Sequence, residues 1–406
     1  MSNLAMQTAD NHSLTMTEQV KVPVVRIAMA LETPLKQQFN CTLQTGQIGV
    51  LLAPSGAGKT SLFNALTGLI KATGSFKVAA DNVEQLSLAT YKRNVAYVTQ
   101  TSVLFNHLNI AELIDLVASQ QHRAFDVSWA LGPLQLQDKL HLRAAQLSGG
   151  QKQRVALVLA MIKGAPLLLL DEALTGQNLV VKQACIAVIR RYLLQNQAAA
   201  LIACHQLADA VALADVAFVQ QSEKGEKSWL AMPISQGVHA YQQQLLDTVN
   251  APMGAELHSA AEYLSVVDGE TVSHHEMLGL TEFTVAGQSC YGAYSPHYAL
   301  KQKVHVMLRA DRAGLSKRRL PECSFVNQWS VQILSARTVS CLGEHGMLID
   351  VNLAGEASQQ VCLSVWITRL SYNQLQPKIG EYWYLIAKAD AFSVTAQPNY
   401  LQGNFY

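Results

Sequence analysis

Apolar positions in the first half of the chain fall into short solid runs separated by segments with helical spacing. Residues 48–52, 167–170 and 199–204 are apolar without polar alternation. Runs that short and that uniform predict strands buried on both faces of a parallel sheet. Residues 24–29 and 95–98 read as further strands. Between them, Leu62, Phe63, Leu66 and Leu69 recur at helical spacing and predict a helix over 61–70, with Gly74 closing that unit. Residues 113–119, 151–162 and 180–195 read as helices, and Pro133 interrupts the pattern before 147. Strands alternating with helices imply an α/β domain.

From about residue 263 the texture changes. Residues 304–308, 329–333, 347–351, 361–367 and 382–387 are short strand-like runs, with Gly343, Gly355 and Gly380 marking some connections. An all-β region of small-barrel type is expected there. The domain organisation read from the sequence is a flexible tail over 1–22, an α/β domain over 23–236, a helical or irregular linker over 237–262 and a β-rich region over 263–406.

The chemistry concentrates where the apolar runs end. Residues 53–60, Ala53-Pro54-Ser55-Gly56-Ala57-Gly58-Lys59-Thr60, follow the first solid run, and Ser61 continues into the helix. A Gly-rich loop between a buried strand and a helix closes backbone N–H groups around phosphate oxygens, aided by the helix dipole. Lys59 then reaches the β- and γ-phosphates, and the Thr60 hydroxyl holds Mg²⁺. Ala53 stands where the pattern has glycine; Pro54 biases it to an extended backbone that alanine adopts without strain. The run 167–170 ends in Asp171 and Glu172, at the carboxyl end of its strand, where ligands of parallel sheets bind. Ser148, Gly149, Gly150 and Gln151 open another helix and form a second anion-binding nest.

Composition narrows the classes. The chain has 406 residues and a formal net charge of +1, with no block of like charges. A general nucleic-acid surface and a polybasic membrane anchor are therefore unsupported. Seven cysteines without C-x-x-C spacing read as reduced thiols. The first twenty residues hold neither a basic n-region nor an apolar h-region, so no signal peptide is expected. No stretch offers the roughly eighteen apolar residues that cross a bilayer.

In order and rough spacing, the phosphate loop, Gln100, the L-S-G-G-Q segment, the L-L-L-L-D-E strand and His205 resemble an ABC-transporter ATPase over about residues 23–230. The resemblance implies a P-loop ATPase domain, with a RecA-like core and a small helical subdomain, followed here by an OB-like or Mop-like barrel. It implies ATP and Mg²⁺ as ligands. Asp171 matches the acid that holds Mg²⁺, Glu172 the base that orients and deprotonates the attacking water, Gln100 the glutamine that senses Mg²⁺ and water, and His205 the switch histidine at the γ-phosphate. Ser148 to Gln151 match the signature that closes on ATP held by a second copy, so a head-to-tail dimer is implied. Two departures stand out. Thr175, Gly176, Gln177 and Asn178 replace the usual S-A-L-D, removing the charge that bridges the subunits. No aromatic residue lies between 22 and 38 to stack on adenine, leaving Met29 or a neighbouring aliphatic residue for that role.

The importer branch is implied by a separate ATPase chain with a β-rich tail and by residues 101–113, which resemble the loop that meets the permease's coupling helix. The tail is similar to the Mop domain of molybdate importer ATPases: Ile367, Thr368 and Arg369 match its I-T-R segment, and Lys388 lies near its I-K position. Ser324, Thr368, Arg369 and Lys388 are thus the candidate contacts to a tetrahedral oxyanion, although the arginine of the domain's S-x-R-N segment is missing at Val326. The resemblance implies an ATP-hydrolysing subunit of a bacterial molybdate or tungstate importer, peripheral on the cytoplasmic face of the inner membrane. Its partners would be permease subunits and, indirectly, a periplasmic binding protein, with no nucleic acid. The alternatives are an importer ATPase for sulfate, polyamine, iron or sugar, and a nucleotide-gated oxyanion sensor with little turnover.

Overall fold

The computed structural model describes residues 23–33, 36–78, 83–101, 103–121, 125–204, 206–223, 226–249, 263–341, 344–353 and 361–397. One mixed sheet is built from β1 (Pro23–Leu31), β2 (Gln37–Gln44), β3 (Ile48–Leu52), β4 (Thr73–Val78), β5 (Val83–Glu84), β6 (Val95–Val98), β7 (Leu167–Asp171), β8 (Ala199–Ala203), β9 (Val216–Glu223) and β10 (Glu226–Pro233). Their spatial order is β5-β4-β1-β2-β10-β9-β3-β8-β7-β6. The segment β9-β3-β8-β7-β6 is parallel throughout. Every residue of β3, β7 and β8 is buried, as their uniform apolar text requires.

The helices are α1 (Lys59–Thr67), α2 (Ile110–Ser119), α3 (Ser128–Leu131), α4 (Gly149–Ile162), α5 (Leu179–Gln195), α6 (Leu207–Leu213), α7 (Ile234–Val249) and α8 (Arg369–Leu375). Alternation along β7 and β8 divides the interior in two. Leu168, Leu170, Ala200 and Ile202 face a core shared with α4 and α5, while Leu167, Leu169, Ala199 and Leu201 face α1 and the antiparallel wing. Because the central strands are parallel, the ends of β3, β6, β7 and β8 all open on one edge. That edge carries the phosphate loop and both acids.

Several boundaries differ from expectation for local reasons. The first helix stops at Thr67, because Gly68 takes φ +89° and its N–H caps the carbonyls of Asn64 and Ala65. Leu69 lies past the cap and is 65% exposed, so its place in the periodicity was coincidental. Gly74 does not end the unit; it sits inside β4 at φ +112°, where a side chain would press into the Ala28 carbonyl. Helix α2 begins at Ile110, three residues early, because Asn109 and Glu112 form a reciprocal capping box.

The expected linker starts within α7. Ile234 and Val238 join the core behind β9, and the same hydrophobic cluster takes in Leu264, Val266 and Met307 from the C-terminal strands. Contact is close enough that a Cβ on Gly237 would lie 2.2 Å from Ala217 Cβ. Arg337 Nη2 also donates to Gln243 Oε1 at 2.6 Å, tying the β-rich region to this helix. A docked strut, not a loose tether, joins the two parts.

The C-terminal region comprises β11 (Leu264–His275), β12 (Leu280–Val285), β13 (Gln288–Ala293), β14 (Lys303–Arg309), β15 (Ala313–Ser316), β16 (Asn327–Cys341), β17 (Glu344–Leu353), β18 (Cys362–Thr368), β19 (Tyr382–Ala387) and β20 (Phe392–Ala396). Two five-stranded sheets result, β13-β12-β11-β14-β20 and β15-β19-β16-β17-β18. They share one core that includes Phe283, Val306, Trp329, Trp383 and Leu385, giving a barrel-like all-β unit. Among the described residues, no helix is long and apolar enough to cross a membrane.

Candidate functional site

The phosphate loop leaves β3 and turns into α1 through two glycines in left-handed backbone, Gly56 at φ +73° and Gly58 at φ +99°. Around it opens a cleft of about 510 Å³ lined by residues 55–61 together with Gln100, Asp171 and Glu172. Ala53 is buried below the loop, and its carbonyl and that of Pro54 accept from Lys59 Nζ. Burial lowers the Lys59 pKa, and the nearby Glu172 and Asp171 oppose that shift by favouring the cation.

Two hydrogen bonds cross the cleft floor. Thr60 Oγ1 donates to Asp171 Oδ2 at 2.9 Å, and Gln100 Nε2 donates to Glu172 Oε2 at 2.7 Å. The residues expected to bind metal and to handle water are thus brought together from α1, from the segment after β6 and from the end of β7. Glu172 itself takes φ +54°, a left-handed backbone that costs a non-glycine residue roughly 1 kcal/mol. Its N–H is fixed to the Ala203 carbonyl at 3.0 Å, so the turn that aims the carboxylate is braced against β8. Strain of this kind is typically held at functional positions.

A further site residue emerges at Tyr97, whose hydroxyl donates to the same Asp171 Oδ2 at 3.2 Å. Burial first, and then the adjacent carboxylate, push its phenol pKa up, so it stays a donor. The signal in the sequence was a polar-tipped residue in β6, registered beside Leu169 of β7.

Ser148, Gly149, Gly150 and Gln151 are placed elsewhere, at the start of α4. Ser148 Oγ accepts from Gln151 N, and Gln151 Oε1 accepts from Ser148 N at 2.8 Å. Gln177 reaches over this turn and donates to the Gly150 carbonyl at 2.9 Å. Within one chain this second nest does not line the phosphate-loop cleft. Asn178 caps α5, its Oδ1 accepting from Val181 N at 2.9 Å, so the side chain that replaces an aspartate is engaged in its own chain. His205 lies outside the described residues.

Two expectations are corrected. Met29 is only 3% exposed, in the core between β2 and β4, and cannot stack on a nucleotide base. The four oxyanion candidates do not converge in one chain. Lys388 follows the end of β19 paired with Asn327, just after Ser324 at the start of β16, whereas Thr368 pairs with Gly346 opposite Val339 near the far end of β16. Twelve residues at about 3.3 Å each separate the two pairs along that strand. All four are exposed, and the Thr368 hydroxyl is taken up in capping α8 through Ser371 N.

The cleft fits a Mg²⁺-bound nucleoside triphosphate: a glycine cradle with room over Gly56, a partly desolvated lysine, and a hydroxyl already paired with a carboxylate. A family profile described as ABC transporter matches residues 36–175. The thiamine import ATP-binding protein ThiQ of Aliivibrio fischeri is 34% identical over 192 residues, 46% of this chain and 82% of the relative. The protein of the same name from Vibrio cholerae is 33% identical over 196 residues, 46% of this chain and 80% of the relative. The sn-glycerol-3-phosphate import ATP-binding protein UgpC 1 of Rhizobium johnstonii is 33% identical over 204 residues, 48% of this chain and 54% of the relative. A solved structure titled "Structure of ATP binding subunit of ABC transporter" covers 54% of this chain and 93% of that chain, at 20% identity and a TM-score of 0.46. The phosphate-loop cleft, the paired acids and these relatives lead to one assignment: the chain belongs to the family of ABC transporter ATP-binding proteins and is an ABC-type ATPase.

Proposed function

We propose that this chain is the ATP-hydrolysing subunit of an importer, working as a pair of copies on membrane permease subunits at the cytoplasmic face of the inner membrane. The observation that carries the reading is the pair of bonds across the cleft, Thr60 to Asp171 and Gln100 to Glu172, which sets a cation-holding pair beside a water-orienting pair. In this scheme Lys59 and the loop amides hold the phosphates, Thr60 and Asp171 hold Mg²⁺, and Tyr97 keeps Asp171 in place. Mg²⁺ held by Thr60 and Asp171 would neutralise charge on the phosphates during transfer. Glu172 accepts the proton of the attacking water, Gln100 orients that carboxylate, and His205 contacts the γ-phosphate. Ser148 to Gln151 of one copy complete the cleft of the other, in keeping with their absence from the cleft of their own chain.

The permease would meet the segment after Gln100, where Val103 and Phe105 are 90% and 59% exposed. The relatives are named for thiamine and glycerol phosphate import and match the ATPase part, which supports an import engine.

For the cargo, molybdate or tungstate is the more specific reading. It is supported by the Ile367-Thr368-Arg369 segment, which leaves Arg369 exposed at the start of α8. The separation of Ser324 and Lys388 from Thr368 and Arg369 favours a second reading, an importer ATPase for another solute. Calorimetric titration of the full chain with molybdate, with sulfate and phosphate as controls, separates the two. Selective saturable binding lost in Arg369→Ala supports molybdate; no binding makes the barrel a scaffold, leaves the importer ATPase reading in place and moves the cargo question to the permease and its binding protein.

A further inference from the structure

Beneath the phosphate loop lies a buried polar cluster that no role described so far uses. Gln37 at the start of β2 is 1% exposed, Gln220 in β9 is 9% exposed and Trp229 in β10 is 6% exposed. Gln220 Nε2 donates to the Ala57 carbonyl at 3.0 Å, and Gln37 Nε2 donates to the Gly58 carbonyl at 3.3 Å. Trp229 Nε1 donates to Gln37 Oε1 at 3.1 Å, and Gln220 Nε2 approaches the same oxygen at 3.4 Å.

The orientation of these amides is forced. An indole N–H can only donate, so the Gln37 atom facing it must be the oxygen, which leaves the Gln37 NH₂ for the loop. The ring of Trp229 is itself held edge-on against Phe39, with centroids 6.0 Å apart.

The consequence for the loop follows from peptide planarity. In a trans peptide the C=O and the following N–H point in opposite directions. Holding the Ala57 and Gly58 carbonyls down on the glutamines therefore turns the N–H groups of Gly58 and Lys59 up, toward the cleft. The Gly58 carbonyl is also held by Leu62 N at 3.0 Å in the first turn of α1, so the cluster's main restraint falls on the Ala57–Gly58 peptide, where glycine at φ +99° has alternative backbone conformations of similar energy.

We infer that Gln37, Gln220 and Trp229 are positioning residues that preset the phosphate loop for triphosphate binding. The inference rests on the ATP-site reading and extends it to three residues that do not line the cleft. Prepaid loop ordering shows up in affinity, since an unordered loop must be ordered by the ligand. The chemical step, which depends on Glu172, is untouched once nucleotide is bound.

The test is MgATP binding and steady-state hydrolysis by the full-length chain, in parent, Gln220→Met and Trp229→Phe. Gln220→Met keeps the volume and removes both donated bonds; Trp229→Phe keeps an aromatic ring and removes the indole N–H that fixes the Gln37 amide. Each variant is expected to weaken MgATP binding and raise KM by roughly five- to tenfold, as loss of one or two net hydrogen bonds implies. Within that prediction kcat at saturating ATP stays within about twofold, and Gln220→Leu, which has no donor for the Ala57 carbonyl in any protonation state, shows the same loss. Thermal melting without nucleotide checks that each variant is folded; Trp229→Phe, which removes the indole N–H together with its five-membered ring but keeps an aromatic ring against Phe39, serves if Gln220→Met does not fold. Unchanged KM in folded variants, or a loss confined to kcat, would overturn the inference while leaving the ATP site standing. Absence of MgATP binding by the parent would overturn both.

Discussion

Replacing Gly237 by alanine tests whether α7 is a docked strut. In an exposed helix this change stabilises by about 0.8–1.0 kcal/mol, because glycine is a poor helix former. Here the new Cβ would lie 2.2 Å from Ala217 Cβ on β9, against an optimal carbon–carbon separation of about 3.5–4.0 Å. Neither atom can rotate away, since both are fixed to backbone, so helix and sheet must part by more than about 1 Å. Overpacking of buried positions costs about 1–3 kcal/mol, and a clash between two rigid elements belongs in the upper part of that range. Subtracting the helix gain leaves a net loss of about 1–2 kcal/mol. Scanning calorimetry of Gly237→Ala should show the melting transition falling by a few degrees. Ala217→Gly in the same chain should recover most of that fall by reopening the space. A transition that rises in Gly237→Ala would refute the docking and return the segment to the status of a linker.

Other expectations concern the seam between α7 and the barrel. Asp350 is 4% exposed and accepts from Arg337, from Ser335 at 2.8 Å and from Ser364 at 2.8 Å. Arg337→Met leaves that carboxylate without its cation and should destabilise by about 1–3 kcal/mol in urea unfolding, a loss Asp350→Asn in the same chain should partly relieve. His239 on α7 has its pKa lowered, first by burial and then by Arg337, with Asp350 opposing. A histidine whose folded pKa lies below its unfolded value binds fewer protons folded than unfolded. Stability should therefore fall as pH drops below about 6.5 and recover as pH rises through it; His239→Gln should flatten that slope, measured by thermal melting between pH 5 and 8.

The parts of the site written as local runs were legible in the sequence. The strand-loop-helix around Lys59 and the buried leucines before Asp171 need only neighbours in the chain to take shape, and they lie where the text placed them. The docking of helix α7 was not legible: the segment reads as a helical or irregular linker, and only the distant Ala217 explains Gly237. That the oxyanion candidates lie apart within one chain was hidden for a similar reason. Matching short segments says nothing about which end of a sheet each occupies, and here β16 holds them apart. The glutamine cluster did leave a trace. In β2 the buried positions are Gln37, Phe39, Cys41 and Leu43, so strand parity alone puts a polar residue on the core face at Gln37. What parity could not supply was its partner, since Gln220 is 183 residues away.

The assignment of the paired acids carries the account, and Glu172→Gln tests it most directly. The substitution keeps the shape of the side chain, and the Gln100 amide can still bond to it, so cleft and fold should persist. MgATP hydrolysis and MgATP binding would be measured in parallel on the parent and variant full-length chains. The account predicts hydrolysis reduced by about 10²–10⁴-fold, the contribution of a general base, with binding affinity unchanged within a few-fold. Hydrolysis within tenfold of the parent would contradict Glu172 as the group that accepts the water's proton.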